Sequence, residues 1–286
     1  MIGRTLTLME WKNLYRGFIM GISDLIPGVS GGTIAVILGI YDRLLDAISG
    51  FFSRRWKEQL GFLIPLAVGM GAALLLLSRL IEFLLTNYHE PTQFFFIGLI
   101  IGVIPLMLKQ AQPKKNFDSK HYITLVIAAI LIASMAFLNP EKTTEPITSL
   151  SVLSVIGLFF SGWLASMAML LPGISGSFIL LLLGVYSTAI NALSTLNIPV
   201  ILVIGLGAVV GFIGSSKGIK YSLSHFPHIT YAIIIGLIIG SLFVVFPGII
   251  TGMTTIILCL ITFVLGLSVT MLFGSEKKLI KGKSNK

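Results

Sequence analysis

Hydrophobic residues in this chain come in long unbroken runs, and polar residues are confined to the short stretches between them. Six runs approach membrane-spanning length: 60–85, 94–108, 122–138, 198–215, 229–246 and 249–273. About twenty residues of helix cross roughly 30 Å of hydrocarbon, so 94–108 has to recruit its neighbours. Two further runs, 17–41 and 162–186, are interrupted in the middle by Pro-Gly and Ser-Gly. A leg of about a dozen residues on each side makes about 18 Å of helix, too little to cross. The predicted form is a re-entrant hairpin, in which helix, break and second helix return to one side. Irregular backbone at that depth needs protein or a water-filled cavity around it.

The two interrupted runs repeat one another. IPGVSGGTIAVILGIY (26–41) aligns with LPGISGSFILLLLGVY (171–186), pairing Pro27 with Pro172, Gly28 with Gly173, Ser30 with Ser175, Gly31 with Gly176 and Tyr41 with Tyr186. IGLIIG occurs at 97–102 and again at 235–240, and on that register Ser78-Arg79 matches Ser216-Lys217. Two matched blocks in the same order mark an internal duplication.

Charge supplies orientation. There are 20 Lys and Arg against 11 Asp and Glu, a formal net charge of +9. The basic residues are spread through short loops, which is a topology signal and excludes a nucleic-acid-binding face. With the N-terminus cytoplasmic, residues 1–16, 42–59, 109–121, 216–228 and the tail lie inside and hold nearly every Lys and Arg. The outer segments 86–93, 139–161 and 187–197 hold only Lys142. Each half is then one hairpin plus three spans. Three is odd, so the second half is inverted. The expected fold is an all-α polytopic membrane protein of two inverted repeats, 1–145 and 146–274, with a basic cytoplasmic tail at 275–286. Its first hairpin enters from the cytoplasmic side and its second from the outer side. Such repeats characterise transporters, with the substrate held where they meet. The run from Gly17 lacks a small-residue cleavage site and is expected to belong to the mature chain. Cys259 alone carries no redox information.

The breaks carry the candidate chemistry. Pro27 and Pro172 end the first legs by removing a donor. Gly28, Gly31, Gly32, Gly173 and Gly176 let backbone and ligand approach closely. Ser30-Gly31-Gly32-Thr33 and Ser175-Gly176-Ser177 then open new helices, whose first amides have no intrahelical partner. Two such ends facing each other at mid-membrane can bind a small anion such as phosphate. The same atoms also serve as bend and cap, and the letters leave both roles open.

Three ionisable positions stand out. Arg79 is the only basic residue inside a predicted span, with Glu82 one turn later. It is either a substrate contact or a headgroup-level residue paired with Glu82. Lys217, its repeat partner, falls near the inner end of its span, so the pair could guide one anion from the two sides in turn. Asp24 precedes the first break and matches Met169, so it has no acidic counterpart. Asp24 and Glu82 are candidates for proton or cation coupling, and Asp24 equally for capping backbone opened by Pro27. His225 and His228 lie in a short loop without acidic or Cys company, so no metal is expected, and no cofactor.

SDLIPGVSGGT (23–33), LPGISGS about 145 residues later, and the hydropathy of essentially the whole chain closely resemble the bacterial polyprenyl-phosphate (undecaprenyl-phosphate) translocases. The resemblance implies a protein of the cytoplasmic membrane that returns the lipid carrier of cell-wall synthesis from the outer to the inner leaflet. Its partners would be undecaprenyl phosphate and membrane lipid, with a homodimer left open. The chain also resembles the undecaprenyl-pyrophosphate phosphatases, whose hairpins read Pro-Gly-x-Ser-Arg-Ser beside catalytic glutamates. Here Gly31 and Gly176 stand at the Arg position, and no Glu-x-x-x-Glu lies in the membrane. Hydrolysis would lack its charge stabilisation and its base, so the chain is not expected to be an enzyme. The alternatives are a phosphatase-like enzyme acting on a lipid pyrophosphate and a carrier of a small soluble anion.

Overall fold

The structure is a computed structural model of the 286-residue chain. It describes residues 9–24, 30–51, 53, 56–137, 147, 151–195 and 197–283, with backbone alone at 78, 82, 193, 194 and 273–283. Among these residues every regular element is helical.

The first half contains α1 (Lys12–Asp24), α2 (Gly31–Ile37), α3 (Tyr41–Gly50), α4 (Trp56–Asn87), α5 (His89–Ala111), the single turn α6 (Pro113–Asn116) and α7 (Ser119–Ser134). The second half contains α8 (Val152–Leu170), α9 (Gly176–Leu182), α10 (Tyr186–Ser194), α11 (Ile198–His225), α12 (Pro227–Val245) and α13 (Met253–Lys283). Each of the six anticipated long runs forms helix over most of its length. The run at 94–108 does recruit its flanks, becoming the 23-residue α5. Repeated letters give repeated backbone: α2 and α9 are both seven residues long. Each is followed by a glycine in the left-handed region, Gly39 at φ 69° and Gly184 at φ 68°. That conformation costs a residue with a Cβ about 1–2 kcal/mol, so the turn is glycine's.

Two expectations need correction. The second legs of the interrupted runs are not helices of about a dozen residues, because the turns at Gly39 and Gly184 end each after seven, and a separate helix begins at Tyr41 and Tyr186. In the second half, residues 152–161 are helix and not outer connection. A reciprocal capping box between Ser151 and Ser154 starts α8 there. At 19 residues α8 rises about 28 Å, against about 20 Å for the 13 residues of α1. Seven described helices, α8 included, are therefore long and apolar enough to cross a membrane, where six were anticipated.

Packing follows the same correspondence. α1 lies along α4, and α8 along α11. At each crossing glycines remove the side chains that would hold the backbones apart. A Cβ on Gly17 or Gly69 would strike the carbonyls of Leu66 and Leu14, and one on Gly162 or Gly207 those of Ile204 and Phe159. This is the small-residue contact of membrane helices. The remaining long helices pair across the halves, α5 with α13 and α7 with α12. The core lies where α5 and α12 cross, around Ile100, Val103, Ile235 and Ile238, and α2 is driven into it with all seven residues buried. Outside, large apolar side chains stay uncovered, including Leu75, Ile130, Leu202 and Leu260. So broad an apolar exterior suits lipid and not water.

Candidate functional site

The two breaks, about 140 residues apart in sequence, meet in space. Ser30 is extended at the N-cap of α2 (φ −116°, ψ 134°), and its Oγ accepts the N–H of Gly32 at 3.1 Å. The same hydroxyl reaches the carbonyls of Met169 and Leu171, each at 3.2 Å. Tyr41 OH donates to the Leu170 carbonyl at 3.0 Å. The last carbonyls of a helix have no partner within it. Here α8 has its carbonyls satisfied by hydroxyls from the other half of the molecule. In return, Gly173 N–H donates to Thr33 Oγ1 at 2.9 Å.

The α2 end is closed. Asp24, the last residue of α1, accepts the Gly31 N–H on Oδ1 at 3.0 Å. Its Oδ2 is buried and has no partner among the described residues. The carbonyls of Met169 and Leu170 lie over Gly32, within 3.0 Å of where a Cβ would stand. Asp24 thus takes the capping role, and its carboxylate occupies the place an incoming anion would need.

The α9 end differs. Ser175 is extended (φ −92°, ψ 129°) but makes no capping bond. Its Oγ pairs instead with Ser177 Oγ at 2.8 Å. The position matching Asp24 is Met169, whose side chain packs on Gly176. So, among the described residues, no carboxylate lies on the α9 amides, and two hydroxyls stand beside them. Gly173 sits at φ 95° with Leu237 O 2.6 Å from where a Cβ would be, so only glycine fits there. Pro172 is buried beside it. Pro27 and Gly28 lie outside the described residues.

An apolar groove of about 350 Å³ runs from this junction to the surface between α1, α3, α4 and α11. Met20, Leu44, Leu66, Met70 and Phe212 form its walls, and Gly31, Gly32, Met169 and Leu170 its inner end. A second apolar groove, about 770 Å³, lies between α8, α11 and α12 and carries Ser215, Ser222 and Thr230.

The structure therefore brings Ser30, Gly31, Gly32, Thr33 and Asp24 together with 169–173, and places Ser175, Gly176 and Ser177 just beyond. Arg79 and Lys217 are not among them. Arg79 is exposed, just beyond the apolar stretch Trp56–Leu77. It is nine residues, about 13 Å of rise, past the groove residue Met70. Lys217 is exposed on α11, four residues past the groove residue Ile213. The Glu82 side chain lies outside the description. Sequence reasoning missed Tyr41 as a donor, although its recurrence as Tyr186 marked the position.

A many-helix membrane protein with two Pro-Gly breaks locked together beside an apolar groove is built like a carrier of amphipathic anions. Residues 20–257 match the VCA0040-like, undecaprenyl phosphate translocase-like family, and the chain belongs to it. A polyprenyl-phosphate transporter of Staphylococcus aureus is 46% identical over 272 residues, covering 93% of this chain and 96% of that protein. A polyprenyl-phosphate transporter of Vibrio cholerae is 35% identical over 261 residues, covering 86% and 80%. No solved structure matches the chain significantly.

Proposed function

We propose that this protein carries polyprenyl phosphate across the bilayer, the phosphate passing the junction of the two breaks while the isoprenoid chain stays in the apolar groove and the surrounding lipid. The observation that carries the reading is that junction: the two breaks are tied together by hydroxyl and amide hydrogen bonds, and its residues Gly31, Gly32, Met169 and Leu170 close one end of a groove with apolar walls. A single-chain lipid with a charged head needs both parts.

The halves form inverted repeats, their interrupted runs enter from opposite faces and turn back at the breaks, the second with a longer first leg, α8, that reaches most of the way across, and both termini are cytoplasmic. The positive-inside pattern and the matched packing of α1 on α4 and α8 on α11 support this arrangement. The phosphate binds at Ser175, Gly176 and Ser177, where hydroxyls and backbone donors face no competing carboxylate. Ser30, Gly31, Gly32 and Thr33 form the opposite wall, held by Asp24. Arg79 and Lys217 are peripheral cations that gather the headgroup at the two surfaces.

Energetics constrain the direction. With the cytoplasm negative, bringing one negative charge inward costs about 2.3 kcal/mol per 100 mV, and a dianion about twice that. Return to the inner leaflet therefore needs an accompanying cation or proton, or consumption inside. Asp24, adjoining the path with one oxygen lacking a partner among the described residues, is the coupling group, and Glu82 is a second candidate.

The test is purified protein in liposomes holding fluorescent polyprenyl phosphate, with leaflet-specific quenching to read flipping. Flipping that is lost in Ser175→Ala with Ser177→Ala, while the fold is retained, is the expected result. Unchanged flipping in that variant would remove the proposed site. Uptake of free phosphate without competition by the lipid would favour a soluble-anion carrier.

A further inference from the structure

Among the described residues, the groove between α1, α3, α4 and α11 offers no donor to a ligand. Its lining side chains are all apolar, Leu63, Leu66, Met70 and Phe212 among them. The backbone donors at its closed end are already engaged. Gly31 N–H is held by Asp24 Oδ1 at 3.0 Å, and Gly32 N–H by Ser30 Oγ at 3.1 Å. The Ser30 hydroxyl is turned to the Met169 and Leu171 carbonyls, and Tyr41 OH to that of Leu170. What the closed end presents is therefore acceptors. The Met169 and Leu170 oxygens stand 3.0 Å from where a Cβ on Gly32 would be, and an Asp24 oxygen stands 2.9 Å from the same point on Gly31.

Two kinds of lipid phosphate meet such a groove differently. In a prenyl phosphate the hydrocarbon begins at the phosphate oxygen, and no polar atom follows. In a phosphatidate, which has the same phosphomonoester head, a glycerol with two acyl esters comes first. Each ester carbonyl is an acceptor, and on entering the groove it leaves its donors behind. A buried acceptor with no donor is unfavourable, and the oxygens already at the closed end repel it further. Chain length is a separate matter. The groove has a volume of about 350 Å³. A cavity of about 150 Å³ takes one benzene, so the groove holds about a dozen carbons, or roughly two or three isoprene units. The rest of the chain lies in lipid, which is as apolar as the groove walls, so further units neither add to binding nor detract from it.

We propose that this groove selects the substrate by the link between phosphate and chain. It admits lipids whose hydrocarbon starts directly at the phosphate, refuses glycerolipids for want of a donor, and does not read chain length. This rests on the transporter reading and names its substrate class: prenyl monophosphates long enough to fill the groove. A bilayer built of glycerolipids surrounds the open side of the groove, so a carrier of another lipid phosphate needs such an element against them. Met70 is where the selection can be undone. It lines the groove and is only half-buried, and glutamine has nearly its shape with a donor at the tip.

The experiment uses the full chain with undecaprenyl phosphate, geranylgeranyl phosphate and dioleoyl phosphatidate. Binding is read in detergent as the rise in thermal midpoint. Transport is read in liposomes as inhibition of the flipping of fluorescent polyprenyl phosphate. The two prenyl phosphates are expected to agree within about threefold in both readouts. Phosphatidate is expected to be weaker by at least about tenfold, and Met70→Gln to narrow that deficit to about threefold. Phosphatidate equal to the prenyl phosphates, geranylgeranyl phosphate weaker than undecaprenyl phosphate by about tenfold, or an unchanged deficit in folded Met70→Gln would each overturn the proposal and leave transport standing. The expected order of binding in a protein that flips no polyprenyl phosphate would support the selection and overturn the transport reading. A midpoint that responds to none of the three lipids would overturn both.

Discussion

Ser30 and Ser175 occupy the same place in the repeat, yet alanine at each is expected to fail in a different way. Ser30 Oγ accepts from Gly32 N–H and donates to the Met169 and Leu171 carbonyls. Loss of an N-cap costs about 1 kcal/mol. Loss of the tie to the α8 carbonyls adds about 0.5–1.5 kcal/mol. Ser30→Ala should therefore destabilise by about 2 kcal/mol, with only a small change in affinity. Among the described residues Ser175 Oγ bonds Ser177 Oγ and makes no capping bond. Ser175 is buried too, but its removal breaks one hydroxyl–hydroxyl bond and no cap, so it should cost about 1 kcal/mol of stability, roughly half the Ser30 loss. A hydrogen bond to a charged group is worth about 1.5–3 kcal/mol, so affinity for the phosphate should drop about 10- to 100-fold. Thermal unfolding in detergent with and without polyprenyl phosphate separates the two, since bound ligand raises the midpoint by mass action. Ser30→Ala should lower the baseline midpoint and keep the ligand-induced rise; Ser175→Ala should lower the baseline about half as much and lose the rise. The reverse pattern would refute the assignment of structural and binding roles to the two serines.

Other substitutions probe the remaining joints. Thr33→Val leaves the buried Gly173 N–H without its acceptor and should cost about 1–3 kcal/mol, with Thr33→Ser restoring most of it in the same unfolding assay. Lys220→Glu should repel Asp46 and speed exchange across α3, and the swap Asp46→Lys with Lys220→Asp should restore protection. Because exposed pairs are worth about 0.2–1 kcal/mol, the change in exchange should be no more than about fivefold. Asp24→Asn keeps an acceptor for Gly31 N–H but removes the charge. Its flipping should become voltage-sensitive in valinomycin-clamped liposomes, whereas the parent's should change little; equal sensitivity would remove Asp24 from coupling.

What the letters revealed and what they hid follow from range. The long helices were legible because lipid allows continuous apolar runs, and the breaks because Pro-Gly can hardly serve otherwise in such a run. The left-handed turns at Gly39 and Gly184 were present in the repeat, but their effect of cutting each second leg short needed the backbone. The early start of α8 was overlooked because 152–161 dilutes its apolar residues with Ser154, Gly157 and Ser161; Ser151 and Ser154 were the local signal. The asymmetry of the junction has one legible cause, Asp24 against Met169. That the carboxylate would close the α2 end could not be seen, since this depends on how α1 and α2 fold back on each other. Arg79 drew attention as a charge inside an apolar run, but the outward face of α4 that it occupies is fixed by α1 covering the other face at Gly69.

The central claim is that a lipid phosphate sits between the two breaks, on the α9 side. The most direct measurement is a cryo-electron microscopy map of the protein in nanodiscs with polyprenyl phosphate. The account predicts headgroup density within hydrogen-bonding distance of Ser175 and Ser177, with the isoprenoid chain leaving through the groove past Leu66 and Met70. Headgroup density held at Arg79 or Lys217, with the junction still closed on itself, would contradict it.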